Sequence, residues 1–250
     1  MDLGIRGRTA LVMGASRGIG RGIAASLARE GARVAIASRK PEDLVKAAAQ
    51  IEGEVHPFGA ETGNLDHLAG IPAEVEKKLG PIEILIANTG GPPPGGALDN
   101  ELEEWQAAYT SLVLAPQVLI KAVVPGMRAK RWGRIVNVGS SSTRQPIPEL
   151  GLSNVHRAAA VGFFKTLAAE LAPEGITVNT VATGMFATER LAGEDGSLDA
   201  AQEVARQAVP AGRLGDPAEY GDLVAFLCSE RAAYLTGAVI PLDGGLVRSI

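Results

Sequence analysis

The chain has 250 residues, with 24 lysines and arginines against 28 aspartates and glutamates, so its formal net charge is −4. A slightly acidic chain lacks the clustered positive charge that binds nucleic-acid phosphates or anionic lipid, and we expect neither partner. Hydrophobic residues make up 46% of the sequence and charged residues 21%, which is typical of a globular protein. The lone cysteine, Cys228, excludes an intramolecular disulfide and favours a reducing compartment.

The N-terminal segment gives no sign of a targeting signal. Met1 to Arg8 contains Asp2 and two arginines and leads into only a short apolar run, whereas a signal peptide needs a long one. No stretch reaches about 18 uninterrupted apolar residues, because Gly, Arg or Glu interrupts every candidate. We therefore predict a cytoplasmic protein that does not span a membrane.

Short apolar runs rich in Val and Ile alternate with longer segments of helical spacing. The predicted strands are Thr9 to Gly14, Arg33 to Ser38, Glu54 to Phe58, Ile82 to Asn88, Gly133 to Gly139, Ile176 to Ala182 and Ala238 to Leu242. The predicted helices include Ile19 to Arg29, Pro41 to Gln50, Leu65 to Leu79, Glu101 to Met127, Asn154 to Leu171 and Pro217 to Ser229. Almost continuously apolar strands indicate a sheet that is covered on both faces. We predict one α/β domain over residues 1–250, a doubly wound, seven-stranded parallel sheet with helices on both faces.

Two segments between these elements are predicted to be loops. Gly90 to Asn100 is rich in glycine and proline at its start, and Met185 to Asp216 mixes glycine with charged residues. In doubly wound folds, ligands bind beyond the carboxyl ends of the strands. Loops of this kind are therefore placed to cover a ligand.

A glycine-rich turn joins the first predicted strand to the first helix. It contains Gly14, Gly18 and Gly20, with Ser16, Arg17 and Ile19 between them. A dinucleotide diphosphate needs such a turn, because close approach of the phosphates requires residues without Cβ and a helix N-terminus offers free N–H groups. The spacing differs from the common Gly-x-Gly-x-x-Gly fingerprint, and by itself it is equally compatible with an ordinary turn. Its position after the first of seven strands favours nucleotide binding.

The end of the second strand points to the type of nicotinamide cofactor. A carboxylate at this place would hold the ribose 2′-hydroxyl of NAD, but the strand ends in Ser38, Arg39 and Lys40. Together with Arg17, the Ser38 hydroxyl and the Arg39 guanidinium are suited to a 2′-phosphate. We predict a preference for NADP(H) over NAD(H). The alternative is that Arg39 and Lys40 are only the solvated start of a helix.

Several further motifs occur in chain order: Gly14 to Gly20, Ile84 to Gly90, Gly133 to Ser140, Ile176 to Asn179, Tyr234 to Gly237 and Asp243 to Gly245. With these motifs the sequence resembles the short-chain dehydrogenase/reductase family over nearly its whole length. It is most similar to the 3-oxoacyl-[acyl-carrier-protein] reductase branch. The resemblance implies a Rossmann fold and a nicotinamide cofactor.

The resemblance also implies contacts with the cofactor. On its adenosine side it places Asn88, Gly90, Glu61 and Thr62, with Glu61 at the position of an adenine-binding aspartate. At the nicotinamide end it places Gly184 and Thr188, in a segment where Thr183 replaces the usual proline. For each polar residue among them, an ordinary loop or cap hydrogen bond is the alternative.

The catalytic residues of the family are an asparagine, a serine, a tyrosine and a lysine, and three of the four are changed here. Ser140 takes the serine position, where its hydroxyl would hold and polarise a substrate carbonyl. The tyrosine and lysine positions are taken by Ser153 and Arg157, and the asparagine position by Leu112, with Ser111 beside it.

These changes keep the geometry of the family's site but not its acidity. Ser153 and Arg157 are four residues apart and share one helix face. A serine hydroxyl, however, is a much weaker acid than a phenol with a pKa of about 10. Arg157 can bind ribose hydroxyls or stabilise an oxyanion, but it can hardly relay a proton. As a hypothesis, Tyr109 or His156 replaces the missing acid; the alternative is that both are structural.

Two functions are compatible with this sequence. The first is an NADP(H)-dependent carbonyl reductase or alcohol dehydrogenase, acting on a small-molecule carbonyl or acyl thioester with Ser140, Ser153 and Arg157 as its catalytic residues. The second is a catalytically silent nucleotide-binding protein that serves as a regulatory or partner subunit. His56 and His67 lack ligand spacing, so we predict no metal site.

The quaternary structure is predicted from the resemblance, which implies a homotetramer. Its interfaces would be formed by the helices Glu101 to Met127 and Asn154 to Leu171 and by the C-terminal strand. Both helices carry apolar residues around much of their circumference, among them Leu112, Val113, Leu114, Phe163 and Phe164. Burial in the core of one subunit is the alternative.

Overall fold

The computed structural model describes residues 1–192 and 196–249. The strands are β1 (Thr9–Met13), β2 (Arg33–Ser38), β3 (Val55–Gly59), β4 (Ile82–Ala87), β5 (Gly133–Val138), β6 (Ile176–Thr183) and β7 (Val239–Leu242). The helices are α1 (Gly18–Arg29), α2 (Pro41–Gln50), α3 (Leu65–Leu79), α4 (Leu102–Tyr109), α5 (Ala115–Lys130), α6 (Gly151–Leu171), α7 (Asp199–Ala208) and α8 (Pro217–Leu227).

The seven strands form one parallel sheet in the order β3-β2-β1-β4-β5-β6-β7. The order reverses at β1, which pairs with β2 on one side and with β4 on the other. This confirms the predicted doubly wound α/β fold. In such a fold a ligand crevice forms outside the carboxyl ends of the strands at the point of reversal.

Side chains that alternate along the strands fill two hydrophobic layers, one on each face of the sheet. In β1, Ala10 and Val12 face the layer that contains residues of α1, α2 and α8. Leu11 and Met13 face the other layer, with residues of α3, α5 and α6. Because helices cover both faces, the carboxyl edge of the sheet is the surface left for a ligand.

The first and last long helices of one layer pack closely through glycines. A Cβ built on Gly221 of α8 would lie 2.4 Å from the carbonyl oxygen of Gly22 in α1, and 2.5 Å from Oγ of Ser26. No side chain fits between two backbones at this distance. Since α1 begins at the glycine-rich turn, this contact also supports the helix end that borders the crevice.

Gly221→Ala is therefore expected to destabilise the protein by about 1–3 kcal/mol, because the added methyl group must push α8 away from α1. Urea unfolding followed by circular dichroism measures this change. The matched control is Gly70→Ala in α3, where a Cβ would meet nothing within 4 Å. There the substitution should stabilise the protein by up to about 1 kcal/mol through helix propensity. Equal urea midpoints of unfolding for the two variants would contradict the interpretation that α1 and α8 are too closely packed for a side chain at Gly221.

The predicted helix Glu101 to Met127 is interrupted by a π-helical turn at Thr110–Leu114. Turns of this kind inside α-helices are frequent at functional sites. Here the turn directs Leu112 into the interior, where 3% of its surface is exposed. The sequence pattern did not reveal the turn, because this helix carries apolar residues around much of its circumference, so that a shift of one residue leaves no visible break in the pattern.

The stretch Leu102–Lys130 is long and apolar enough to cross a membrane, by length and composition alone. It is not an uninterrupted apolar run, because Gln106, Thr110 and Lys121 are among the polar residues within it, and it passes on its average hydropathy alone. Within it, Leu119, Val123 and Met127 of α5 are buried in the layer formed with α3 and α6. Packing against the sheet therefore accounts for much of its apolar character.

The predicted loop from Gly90 to Asn100 contains no named helix or strand, as expected. The predicted loop from Met185 to Asp216 is wrong in part, because it contains α7. Ala205 of this helix packs with Val209 and Leu214 in a small separate cluster. The helix was missed because its apolar residues are mostly small alanines and it lies within a segment rich in glycine and charge.

Candidate active site

A cleft of about 900 Å³ opens at the carboxyl edge of the sheet. Its walls come from the glycine-rich turn after β1, the ends of β2 and β4, and the loops that follow β5 and β6. The volume is typical of ligand-binding clefts. Chain segments that are far apart in the sequence therefore meet at the crevice where doubly wound folds bind ligands.

Most of the predicted site residues line this cleft: Gly14, Ser16, Arg17, Gly18, Ile19, Gly20, Ser38, Arg39, Thr62, Asn88, Gly90, Ser140, Ser153, Arg157, Gly184 and Thr188. Glu61 is the exception, since it is exposed and lies outside the lining. After β3 the chain turns, and the Asn64 amide donates to the Glu61 carbonyl over 3.2 Å. This turn leaves the carboxylate in solvent.

The glycine-rich turn is a backbone cradle that leaves no room for side chains. Gly14 has a φ of 58°, and a Cβ there would lie 2.7 Å from the Asn88 carbonyl oxygen. A Cβ on Gly20 would lie 2.2 Å from the carbonyl oxygen of Gly14. The Asn88 side chain donates to the carbonyls of Met13 and Gly14, both over 3.1 Å, and so holds the turn. Such a cradle at the N-terminus of α1 fits a diphosphate.

The end of β2 contributes polar groups to the same cleft. Ser38 Oγ is buried and has no hydrogen-bond partner among the described residues. Arg39 and Lys40 follow it, and Arg17 lies across the cleft in the glycine-rich turn; all three are exposed. A cleft that contains an unpartnered buried hydroxyl and these three cations fits a phosphate group, because phosphate supplies strong acceptor oxygens.

The three predicted catalytic residues line the cleft from the end of β5 and the first two turns of α6. Ser140 follows β5, and its Oγ accepts a hydrogen bond from the Ser142 amide over 3.1 Å. Arg157 reaches from α6 to the last residue of β5, where Nη1 donates to the Val138 carbonyl over 2.8 Å. Ser153 lies on the same face of α6, is 6% exposed and also lines the cleft.

The environment of Arg157 perturbs its ionisation. Burial lowers the pKa of Arg157 to about 10, and the nearby charge of Arg190 acts in the same direction. The Tyr220 phenol opposes this slightly. Arg157 therefore remains a cation at neutral pH, and a partly desolvated cation interacts strongly with an anion or oxyanion.

A buried phenol lies behind the wall of the cleft. Tyr220 of α8 is fully buried, and its hydroxyl is 2.9 Å from Oγ1 of Thr183, which does line the cleft. Burial raises the pKa of Tyr220 well above its usual value. The phenol is thus protonated at physiological pH and serves as a hydrogen-bond partner of Thr183.

The structure does not bring Tyr109 or His156 into the cleft. The His156 ring is buried beside the rings of Trp105 and Tyr109, and its Nδ1 is 2.8 Å from the Leu152 carbonyl oxygen. Both residues therefore take part in packing between α4 and α6. The hypothesis that either of them replaces the missing acid receives no support from this geometry.

Sequence reasoning missed several residues that line the cleft, above all Arg190. The chain beyond β6 folds back over the glycine-rich turn, where a Cβ on Gly18 would lie 3.2 Å from Cγ2 of Thr188. Arg190 then reaches Gly91, beyond the end of β4. The only signal in the sequence was its position two residues after Thr188, within a segment expected to cover the ligand.

The described residues contain no cluster of metal-ligating side chains.

Comparison with known proteins gives the family. Residues 14–247 match the family model described as enoyl-(acyl carrier protein) reductase. The chain is 35% identical over 244 residues to human dehydrogenase/reductase SDR family member 4, an alignment that covers 95% of this chain and 87% of that protein. It is 36% identical over 247 residues to the 3-oxoacyl-[acyl-carrier-protein] reductase FabG of Vibrio cholerae, covering 98% and 99% of the two chains.

Two solved structures are similar over nearly their full length. The L-sorbose reductase of Gluconobacter frateurii, complexed with NADPH and L-sorbose, superposes with a TM-score of 0.93 at 31% identity and covers 100% of both chains. YwfH, an NADPH-dependent reductase involved in bacilysin biosynthesis, gives a TM-score of 0.91 at 31% identity and covers 97% of this chain and 99% of its own. The chain therefore belongs to the short-chain dehydrogenase/reductase family of oxidoreductases.

Proposed function

We propose that this protein is an NADP(H)-dependent oxidoreductase that transfers a hydride between nicotinamide and the carbonyl or hydroxyl group of a small molecule. The observation that carries the proposal is that Ser140, Ser153 and Arg157 line the same cleft as the glycine-rich turn. The chain is similar to reductases of 3-oxoacyl and sugar carbonyl groups, which supports this class of reaction.

Each of the three residues has a role in the proposed reaction. The bound nicotinamide supplies or accepts the hydride at the carbonyl carbon. Ser140 Oγ already accepts from the Ser142 amide, so its own proton is free for the substrate oxygen. Arg157 adds positive charge beside this hydroxyl and stabilises the negative charge that develops on the oxygen. Ser153 leaves the space that a tyrosine ring would otherwise fill.

The proton that completes carbonyl reduction is proposed to come from water. None of the described residues that line the cleft carries a phenol or an imidazole. The Ser153 hydroxyl is too weak an acid to replace a phenol. The cleft is open at its mouth, and water that enters there can protonate an oxyanion held by Ser140 and Arg157.

The preference for NADP(H) is proposed from the residues at the end of β2. The unpartnered Ser38 hydroxyl and the cations Arg17 and Arg39 are suited to a 2′-phosphate. YwfH and the sorbose reductase, to which the chain is similar, are described with NADPH. Asp43 is an acid near this end of the cleft, but it lies in the first turn of α2, beyond the end of β2.

Arg39→Gln is expected to weaken NADPH binding by about ten- to a hundredfold and to leave NADH binding unchanged, since it removes a charge-assisted hydrogen bond to the 2′-phosphate. Fluorescence titration with both nucleotides measures the two affinities. Lys46→Gln removes the same charge from an exposed position of α2 and is the control. An equal loss of affinity for both nucleotides in Arg39→Gln would show that Arg39 does not select the cofactor.

A catalytically silent nucleotide-binding subunit is the second candidate. The observation that favours it is the lack of a phenol or imidazole among the described cleft residues, together with a buried leucine at the asparagine position. A protein of this kind would bind the cofactor and stabilise a partner, but would not turn over substrate.

One experiment separates the two candidates. NADPH binding is followed by fluorescence, and NADPH oxidation is then measured with a panel of acyl thioesters, aldehydes and small ketones. Turnover with any of them supports the oxidoreductase. Tight binding without turnover over the whole panel supports the silent subunit, and a folded protein that binds neither nucleotide would refute both.

We also propose a homotetramer, on the resemblance and on the apolar surface of α4 and α6. Leu102, Tyr109 and Val155 are 65%, 45% and 50% exposed. By contrast, Leu112 and Phe164, which were expected to contribute to interfaces, are buried in this chain at 3% and 1%. Analytical ultracentrifugation at micromolar protein concentration measures the mass of the assembly and tests the proposal. A mass equal to that of one chain would contradict it.

A further inference from the structure

Two arginines face one part of the cleft from different elements. Arg157 extends from α6 to the end of β5. Arg190 comes from the loop after β6, and a Cβ on Gly91 would lie 2.2 Å from its Nη1 and 2.3 Å from its Nη2. Its Nη2 makes one long hydrogen bond of 3.5 Å to the Pro92 carbonyl. One side chain thus lies at the end of β5 and the other just beyond the end of β4, and these two strands are neighbours in the sheet.

Neither guanidinium is paired with a carboxylate among the described residues. The polar contacts of both are backbone carbonyls. The acids that line the cleft lie elsewhere: Asp43 belongs to α2, and Glu189 Oε2 lies near the glycine-rich turn, 3.6 Å from a Cβ built on Gly18. Among the residues that the structure describes, the cleft therefore contains two arginines that form no ion pair with an acid.

Such an arrangement costs free energy unless an anion is supplied. The positive charge of each arginine raises the free energy of the charged form of the other. For this reason Arg190 contributes to the lowered pKa of Arg157. Guanidinium groups bind carboxylates through paired hydrogen bonds, and such bonds are roughly twice as strong as neutral ones. A carboxylate held between the two side chains would remove the repulsion between them.

The surroundings of the pair indicate the rest of the ligand. Ile147, Leu150, Met185 and Leu191 line the same cleft on the side of the loops after β5 and β6. These apolar side chains can cover a hydrocarbon body. Ser140 lies two residues beyond Val138, the residue that Arg157 contacts. A carboxylate at the arginines would therefore place a carbonyl on the same molecule near Ser140.

We propose that Arg190 binds the carboxylate of the substrate, that Arg157 adds its positive charge to this site while it also stabilises the oxygen that reacts, and that the substrates are oxo acids, or the corresponding hydroxy acids, with an apolar body. The proposal rests on the oxidoreductase function above and adds the substrate class. It also gives Arg190 a role in specificity: it contacts the part of the substrate that does not react.

Binding of an unreactive carboxylate tests the site without relying on turnover. Hexanoate and the neutral hexanamide are titrated into the NADPH-loaded protein by calorimetry. We expect hexanoate to bind at least about tenfold more tightly than hexanamide, the effect of one charge-assisted pair. Arg190→Gln should remove this difference, and Arg190→Lys should keep part of it. The affinity for NADPH should stay within about twofold in both variants.

Three outcomes would overturn the proposal. The first is equal binding of hexanoate and hexanamide, and the second is no binding of either. The third is a parallel loss of NADPH affinity in Arg190→Gln, which would assign Arg190 to the phosphates of the cofactor.

Gly91→Ala provides a second variant. It keeps the charge of Arg190, but the new methyl group displaces the Arg190 guanidinium. This variant should bind hexanoate more weakly and bind hexanamide with unchanged affinity. An equal change in both affinities would contradict the proposal.

Kinetics with matched substrates separate this proposal from the proposed function. Each oxo acid is compared with its methyl ester, and Arg190→Gln should raise KM for the acid by about ten- to a hundredfold and leave KM for the ester unchanged. Turnover of neutral ketones and thioesters but not of oxo acids would refute the carboxylate site and leave the oxidoreductase intact. If nothing is turned over while hexanoate still binds in preference to hexanamide, the proposed function fails and the anion site stands.

The pH dependence of hexanoate binding provides a further check. The groups that act on Arg157 are Arg190 from the loop after β6 and Tyr220 from α8. Arg157 is charged below its lowered pKa of about 10. The carboxylate is charged above about pH 5. Affinity should therefore be constant from about pH 6 to pH 9 and should fall as the pH rises through about 10. A steep decrease around neutral pH would instead indicate a different cation.

Discussion

Gly20→Ala is expected to weaken NADPH binding by a hundredfold or more, which corresponds to about 3 kcal/mol. The new Cβ would lie 2.2 Å from the carbonyl oxygen of Gly14 and 2.7 Å from Nδ2 of Asn88. Gly14 belongs to the turn and the Asn88 side chain holds it, so the N-terminus of α1 has to move away from both. The N–H groups that would hold the diphosphate then no longer converge.

The measurement is a fluorescence titration with NADPH, combined with circular dichroism and thermal unfolding to show that the variant is folded. Gly70→Ala is the matched control, because it adds the same methyl group where nothing lies within 4 Å. It should bind NADPH as the unmodified protein does. Native affinity in a folded Gly20→Ala variant would contradict the role of the turn, and with it the oxidoreductase proposal.

Ser140→Ala is expected to lower kcat for carbonyl reduction by about a hundred- to a thousandfold, the usual effect of removing one donor to a developing oxyanion. The Ser142 amide occupies an acceptor site of the Ser140 hydroxyl and thereby directs its proton elsewhere. Arg157 remains in the variant, since it is held by the Val138 carbonyl. Some activity should therefore persist, and NADPH affinity should change by less than about twofold.

Ser142→Ala is the control for this experiment. Ser142 is two residues away and buried, its Oγ has no partner among the described residues, and it lies outside the lining of the cleft. Its backbone amide, which contacts Ser140, is retained in the variant. Replacing an unsatisfied hydroxyl with a methyl group should leave kcat unchanged and leave stability equal or slightly higher. If both variants lose activity equally, the effect of Ser140→Ala is structural.

The sequence was a good guide to features that depend on short stretches of chain. Apolar runs separated by helical spacing predicted all seven strands to within a few residues, because a strand buried on both faces must be apolar throughout. The turn from Gly14 to Gly20 was also visible, since the positive φ at Gly14 favours glycine and the close backbone contacts leave no room for a Cβ. α7 was missed because it lies within a segment that combines glycine with charged residues, and its few apolar side chains are mostly alanines.

The composition of the site was less accessible to sequence reasoning. Tyr109 and His156 are near the altered catalytic positions in sequence, yet they pack beside Trp105 away from the cleft. Glu61 was placed by resemblance but lies in solvent. Arg190 carried no motif, yet the loop after β6 brings it beside Gly91. In each case the position depends on contacts between segments that are far apart in the chain.

The sequence by itself determined the sheet and the glycine-rich turn, since these follow from local periodicity and residue identity. Only the tertiary structure decided which side chains share the cleft, and it brought Arg190 from the loop after β6 toward Arg157 of α6. The physical reason is that a side chain's reach is a few ångströms, so the loop path determines which charges meet. No local pattern encodes that path.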